Sequence, residues 1–255
     1  MVKLPLIFNL NREGDIVQAF SDERKNRADN EKETGRLEAF SDGVFAVAIT
    51  LLVLDIKLIG VNPGAQLPDD SVVWRSFLQQ VPTIAAFIIS FFTIGIMWLN
   101  HHKIFKQIQR IDTGLLLLNI LLLLVIVFIP VPTALLAEYL LVPGQHAAAI
   151  IYSGTFFMMA VCFNLLWRYA AHRGRLLGRD VDLQAVEGIS RQYLFGPLLY
   201  IIPLILAFIN TPATAICQFL LALFFALPGR PLPSKPKTVG MKKDVTEGQH
   251  EVQQP

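Results

Sequence analysis

The chain has 255 residues, of which 53% are hydrophobic and only 16% charged, and its mean hydropathy is +0.50. A soluble domain carries about 25% charged residues, so this composition favours a chain whose surface faces lipid and disfavours a soluble enzyme, a nucleic-acid-binding protein and a disordered protein. The net charge of +2 indicates no partner, and two cysteines are too few for a disulfide scaffold.

The first 36 residues are highly charged and contain no cleavable targeting segment, so we predict a cytoplasmic segment over residues 1–36. A membrane-spanning helix needs about 20 mostly apolar residues. Six segments meet this need, and we predict spans at 38–58, 76–100, 113–136, 146–168, 193–210 and 212–228. The sequence Asn210-Thr211-Pro212 predicts a tight hairpin between the last two, and residues 229–255 are predicted to be a disordered tail.

The basic residues predict the orientation of these spans. In a six-span arrangement 20 of the 22 lysines and arginines fall on one side, and only Lys57 and Arg75 fall on the other. Because cytoplasmic loops are enriched in basic residues, both termini are predicted to be cytoplasmic.

The first span carries two unusual features. Asp42 lies at its start, where an ionisable residue is either a functional group with a partner nearby or a carboxylate favoured by the helix dipole. A stripe at helical spacing follows, formed by Gly43, Val47, Thr50, Leu51, Leu54 and Leu58. The stripe is either a functional face or an ordinary packing face with a back-bonded threonine.

Two motifs resemble those of a known family. The residues from Arg36 through Phe40-Ser41-Asp42-Gly43 to Ile56 resemble the first-helix signature of prokaryotic members of the transmembrane protein 175 family, which are potassium channels without a P-loop filter. The stretch Trp98-Leu99-Asn100-His101-His102 resembles the end of the second helix of that family.

The resemblance implies an all-α membrane protein with six transmembrane helices per subunit, residues 37–228, in which the first helix lines a central pore of a homotetramer. The expected pore-lining and selectivity residues are Val47, Thr50, Leu51 and Leu54. The implied function is a potassium-conducting cation channel in the plasma membrane, with potassium as the permeant ion, no cofactor and no catalysis. An apolar constriction forces an ion to shed water, which favours potassium over sodium modestly.

A second group of motif residues is expected to hold the pore helix. Arg36, Phe40, Ser41, Asp42, Trp98, His101 and His102 are predicted to meet in a structural polar network, because the predicted topology brings the start of the first span and the end of the second to one membrane face. Asn119 and Asn164 are predicted to make hydrogen bonds between helices.

Two other functions stay open at this point. A proton-coupled secondary transporter would use Asp42 with His101 or His102 as a relay, although no internal symmetry of the usual kind is visible. A membrane-embedded enzyme would use the same residues as acid, base or metal ligands. Adjacent histidines diverge by about 100° on a helix, so we expect no metal site there. Thr93-Ile94-Gly95-Ile96 echoes a potassium filter but lies inside an apolar span, where we expect helix.

Overall fold

The computed structural model describes residues 6–56, 69–140, 142–178 and 181–226. Within these residues the chain forms eight α-helices and two short 3₁₀ turns, Leu52–Asp55 and His172–Gly174. The helices are α1 (Leu6–Leu51), α2 (Asp70–Gln79), α3 (Val81–Phe105), α4 (Thr113–Phe128), α5 (Pro130–Tyr139), α6 (Gln145–Ala171), α7 (Leu183–Leu206) and α8 (Thr211–Ala226). The predicted tail, residues 229–255, lies outside the described residues.

The helices confirm an all-α membrane architecture. Five described stretches are long and apolar enough to cross a membrane, namely Glu31–Leu54, Val81–Phe105, Thr113–Tyr139, Gln145–Gly174 and Leu183–Leu206. The sixth predicted span corresponds to α8, whose 16 residues reach about 24 Å, less than the roughly 30 Å of a hydrocarbon core. The count of six crossings therefore stays a prediction.

Helix α1 is far longer than the span predicted at 38–58. It begins at Leu6 and continues through the charged segment into the apolar one without a break. The segment is rich in good helix formers, and no proline occurs between Pro5 and Pro63 to interrupt the helix. The α-helix ends at Leu51, where the chain tightens into the 3₁₀ turn Leu52–Asp55.

Two other predicted boundaries were wrong. The second span was expected to begin at residue 76, but a separate helix, α2, ends at Gln79, and α3 begins at Val81 with Pro82 in its first turn. Proline is tolerated there because the first-turn amides have no partner within the helix. The fifth span was expected to begin at residue 193, but α7 begins ten residues earlier, at Leu183. Asp182 caps it by accepting hydrogen bonds from the amides of Gln184 (3.0 Å) and Ala185 (3.3 Å).

Proline and asparagine determine the remaining helix ends. The predicted third span is divided between α4 and α5 at Pro130. Proline has no backbone N–H, so it cannot donate the hydrogen bond that a continuous helix needs at this position. The predicted hairpin between the last two spans is confirmed, because Asn210 Oδ1 accepts a 2.9 Å hydrogen bond from the amide of Ala213 at the start of α8.

Helix α6 forms the centre of the bundle. It packs against α4, α5, α7 and α8, and it carries more buried residues than any other described helix. Its start meets the end of α7 through His146 Nδ1 and the carbonyl of Ala207 (3.0 Å), and Trp167 near its end donates to Ser190 (2.9 Å). The two helices are therefore antiparallel, and α1 packs on α3 and α4 at the side of the bundle.

The α3–α4 and α6–α7 loops are joined at one end of the bundle. Ile108 and Leu177 pair as an isolated β-bridge, and next to it Asp112 caps α4 through the amide of Leu115 (2.9 Å). The carboxylate of Asp112 also accepts hydrogen bonds from the hydroxyl of Tyr169 (2.9 Å) and from Arg175 (2.7 Å). Asp112 therefore ties the two loops together.

The stability contributed by Asp112 should depend on pH. Desolvation acts to raise the pKa of its carboxyl group, but hydrogen bonds from Leu115 and Tyr169 and the charge of Arg175 outweigh it, so the pKa lies below its ordinary value of 3.8. A depressed pKa stabilises the fold above the unfolded pKa, and this stabilisation is lost as the pH falls through the folded pKa. We expect Asp112→Asn to lower the melting temperature of the detergent-solubilised protein near neutral pH, and the difference from wild type to shrink below about pH 4.

A matched control for this measurement is Asp182→Asn, since Asp182 also caps a helix through backbone amides. Because asparagine caps a helix about as well as aspartate, the control separates the loss of a carboxylate charge at a cap from the loss of the contacts to Tyr169 and Arg175. A difference between wild type and Asp112→Asn that stays constant from neutral pH to below pH 4 would contradict the assignment.

Candidate functional site

Helix α1 has two distinct faces in its apolar half. Ser41, Phe45, Ala48 and Leu52 are buried, and they follow the i, i+4, i+7, i+11 spacing of one helical face. This face packs against α3 and α4. Burial of four successive positions fixes the rotation of α1 about its own axis, and therefore determines which residues point away from the subunit.

The opposite face of α1 carries the predicted pore-lining residues and is not covered by the described part of the subunit. Val47 is 52% exposed, Leu51 36% and Leu54 74%, and Thr50 is also exposed. Gly43 begins the same stripe and is exposed as well. The structure therefore brings the four predicted residues onto one continuous surface, most of it apolar, with a single hydroxyl group at Thr50.

The hydroxyl of Thr50 has a defined orientation. It donates a 2.9 Å hydrogen bond to the carbonyl oxygen of Val47. Because the only proton of the hydroxyl is used in this bond, its lone pairs are directed away from the helix as acceptors. An acceptor with no competing donor can take the place of a water molecule beside a cation.

The 3₁₀ turn Leu52–Asp55 lies at the end of this stripe. Side chains three residues apart are stacked above each other in a 3₁₀ helix. Leu54 consequently follows Leu51 along the helix axis more directly than in an α-helix, which extends the apolar surface in one line.

A buried hydrogen-bond network links α1 to α3 through α4. Asn119 of α4 donates from Nδ2 to Ser41 Oγ (3.0 Å), and Ser41 in turn donates to the carbonyl of Leu37 (2.9 Å). Asn119 Oδ1 therefore accepts the 2.9 Å bond from His101 Nε2, which places the proton of this histidine on Nε2. Ser41, His101 and Asn119 are all buried, so the network stabilises the packing of three helices at once.

The ring of His101 is held by one aromatic side chain of α1 and one of α3. It stacks on Phe105 at a centroid distance of 4.2 Å and meets Phe45 at 5.4 Å. Phe45 belongs to the buried face of α1. The contact therefore couples the orientation of the histidine to the rotation of the helix that bears the stripe.

Two contacts on the surface of the subunit complete the junction of α1 and α3. Trp98 Nε1 donates a 2.8 Å hydrogen bond to Asp42 Oδ1, and His102 Nδ1 contacts the carboxylate of Glu38. The rings of Trp98 and His102 stack on each other at 6.4 Å. Since Asp42 pairs with Trp98 while the earlier Glu38 pairs with the later His102, α1 and α3 are antiparallel here.

The structure brings together five of the seven predicted network residues and adds two. Arg36 and Phe40 are exposed, and within the described residues no ion pair joins Arg36 to Asp42, so their place in the network stays a prediction. Sequence reasoning assigned no role to Glu38, although it lies four residues before Asp42 and so on the same helical face. Asn119 and Asn164 make bonds between helices as expected, the latter to the carbonyl of Tyr193.

The arrangement does not favour a shared relay or metal site for the two histidines. His101 points into the bundle at Asn119, whereas His102 contacts Glu38 on the outside. Among the described residues, no group of three or more histidine, cysteine, aspartate or glutamate side chains is placed to hold a metal ion. The filter-like sequence Thr93–Ile96 lies inside α3, where Thr93 donates to the carbonyl of Ile89 (2.7 Å), so it is helical as expected.

Known proteins match both the sequence and the fold. The sequence profile of the family described as endosomal/lysosomal potassium channel TMEM175 matches residues 36–130. A protein of Chamaesiphon minutus named as a potassium channel is 46% identical over 200 residues, which span 78% of this chain and 97% of that protein. A potassium channel of Streptomyces collinus is 42% identical over 204 residues, 80% of this chain and 96% of that protein.

A solved structure supports the same relationship. The crystal structure of a lysosomal potassium-selective channel TMEM175 homologue from Chamaesiphon minutus superposes with a TM-score of 0.67 at 42% sequence identity. The superposition covers 78% of this chain and all of that chain. The match therefore extends over the whole helical bundle of the relative.

Proposed function

Since the chain belongs to the TMEM175 family, we infer that it is a potassium-conducting channel, and we propose that the exposed stripe on α1 lines its pore. It is a multi-pass membrane protein, and the family is one of ion channels rather than enzymes. The observation that carries the pore proposal is the exposure of Val47, Thr50, Leu51 and Leu54 on one face of a helix whose other face is buried.

We propose that four copies of the chain surround the pore as a homotetramer. One stripe cannot enclose an ion, but four copies arranged about an axis would place four Val47, four Leu51 and four Leu54 side chains in successive apolar rings. An apolar constriction dewets, so a passing ion must shed part of its water. Potassium holds its hydration shell less strongly than sodium and passes more readily. Native mass measurement in detergent tests the assembly, and a monomer would contradict it.

The Thr50 ring is proposed to supply the polar contacts inside this constriction. In each subunit the hydroxyl proton of Thr50 is donated to the carbonyl oxygen of Val47. The four hydroxyl oxygens of the ring would therefore face the ion as acceptors. Such a ring replaces only part of the lost hydration, and the preference for potassium over sodium should be modest.

We expect Thr50→Val to lower the potassium/sodium permeability ratio by at most roughly fivefold, because a hydrogen-bonding group of this kind contributes about 1 kcal/mol and both ions share part of that gain. The ratio is measured from reversal potentials in planar bilayers under bi-ionic conditions. Thr50→Ser, which restores the hydroxyl, should recover most of it. Thr155→Val is the matched control, since Thr155 makes the same kind of bond, to Ile151 of α6, and its hydroxyl lies outside the stripe. An unchanged ratio in Thr50→Val would contradict the role of this hydroxyl.

We propose that the channel lies in the plasma membrane with both termini in the cytoplasm. The support is the distribution of basic residues, 20 of 22 on one side of a six-span arrangement. Proteolysis of sealed, oriented vesicles tests the orientation, and cleavage of the C-terminal segment from the outer side would contradict it. Recording of discrete unitary currents distinguishes a channel from a proton-coupled transporter, which would show uptake without them.

A further inference from the structure

Helix α2 presents an apolar surface that no other described helix covers. Val73, Trp74, Phe77 and Leu78 share one face at i, i+4 spacing, and all four are exposed. Trp74 is 66% exposed and meets the ring of Phe77 edge-on at 6.2 Å. No residue of α2 is buried, so the described part of the subunit leaves this face open.

The side of α2 away from Trp74 is mainly polar, although the exposed Val72 also lies there. Ser71, Arg75 and Gln79 follow each other at four-residue spacing on that side. The helix begins at a defined cap, where Asp69 Oδ1 accepts a 2.8 Å bond from the amide of Asp70 and Oδ2 accepts a bond from Ser71 (3.1 Å). An amphipathic helix of this kind, with aromatic side chains on its apolar face, suits a water–lipid boundary.

The connection to α3 fixes the height of α2 relative to the membrane. Gln80 alone separates the two helices. The apolar part of α3 from Val81 to Asn100 is about 30 Å long, which equals the thickness of the hydrocarbon core, and His101, His102 and Lys103 follow at the other end. A hydrocarbon core that ends before His101 would therefore have its other boundary near Val81, and α2 would follow beyond it at the level of the headgroups.

We propose that α2 is an interfacial helix that binds the leaflet at the end of the bundle opposite His102, with its Trp74 face inserted into the upper acyl chains. The occupant of the face is lipid rather than a second copy of the chain, because tryptophan at this height is typical of the aromatic belt of a membrane protein, and tryptophan, phenylalanine and leucine together are typical of the apolar face of an interfacial helix. The inference requires only that α3 crosses the membrane, and it does not depend on which residues line the pore.

The charges near α2 indicate how it binds. Asp69, Asp70 and Arg75 nearly cancel, so attraction to anionic headgroups contributes little. Binding should therefore rest on burial of apolar surface, and it should not depend on salt or on the fraction of anionic lipid.

The test is fluorescence quenching in proteoliposomes of the full chain made with phosphatidylcholine brominated near the top of the acyl chains. The emission of Trp74 is the difference between wild type and Trp74→Phe, which retains Trp98 and Trp167. We expect about half of that emission to be quenched, because an interfacial helix sits roughly 5–10 Å deep. A tryptophan moved to the polar face, in Trp74→Phe with Gln79→Trp, should be quenched clearly less.

Equal quenching of wild type and Trp74→Phe would overturn the proposal, as would equal quenching at positions 74 and 79. Protection of Trp74 from both brominated lipid and aqueous iodide would assign the face to a neighbouring copy and would also overturn it. A rise in quenching when anionic lipid replaces part of the phosphatidylcholine would contradict binding by apolar burial alone.

Discussion

Replacing Val47 by asparagine should raise the unitary conductance of the channel and reduce its preference for potassium over sodium. In the proposed assembly four asparagine side chains would hydrate a ring that is otherwise apolar. If the dewetted ring contributes about 1.4 kcal/mol to the barrier, its removal raises the rate of ion passage about tenfold. Val47 is half exposed on a face that the described residues leave uncovered, so the substitution should disturb little packing within the subunit.

The matched control is Val131→Asn, because Val131 is a valine of similar exposure, 58%, on α5 rather than α1. Both variants place an asparagine on an apolar surface of the bundle. Only Val47→Asn should change single-channel current and reversal potential in planar bilayers. The same currents in Val47→Asn as in wild type would show that this face of α1 does not line the conducting path.

Replacing Asn119 by leucine should destabilise the subunit. The fraction that still folds and assembles should keep the potassium/sodium preference of the wild type. The substitution leaves the Nε2–H of His101 buried without an acceptor, while Ser41 Oγ loses its donor Asn119 and keeps only its bond to the carbonyl of Leu37. A buried group that loses its hydrogen bond costs about 1–3 kcal/mol. We therefore expect the melting temperature to fall by about 2–12 °C, and the yield of assembled protein to fall with it.

A double-mutant cycle separates this network effect from a general effect of the leucine side chain. Ser41→Ala removes one partner of Asn119, so the two substitutions together should cost less than the sum of the single ones. Additive losses would mean that Ser41 and Asn119 do not act together. A normal melting temperature with an altered potassium/sodium ratio would instead place Asn119 in the conducting path and contradict its structural role.

Sequence reasoning was most successful where a pattern depends on helical spacing alone. The stripe from Val47 to Leu54 could be predicted because positions three and four apart share a face whatever surrounds the helix. The junction of α1 and α3 could also be predicted, since the topology placed Asp42 and Trp98 at one membrane face.

The misplaced features depend on local chemistry or on contacts distant in sequence. A hydropathy window cannot find the start of α7, because Glu187 and Arg191 lower the hydropathy of its first turns while Asp182 caps the helix. The role of Glu38 depends on His102, which is 64 residues away. The sequence could identify Asn119 as a residue that makes hydrogen bonds between helices. Its partners, Ser41 and His101, can be identified only when α1, α3 and α4 are packed together.

The uninterrupted course of α1 gives the stripe a long lever arm. The helix from Leu6 to Leu51 is about 69 Å long, and within it Val47 stands only about 6 Å from the C-terminal end. If the rod tilts about that end by about 5°, Val47 moves by roughly 0.5 Å and Leu6 by roughly 6 Å. A displacement of Leu6 is thus about ten times larger than the displacement it produces at Val47. A force applied near Leu6 therefore acts on the stripe as a correspondingly larger force.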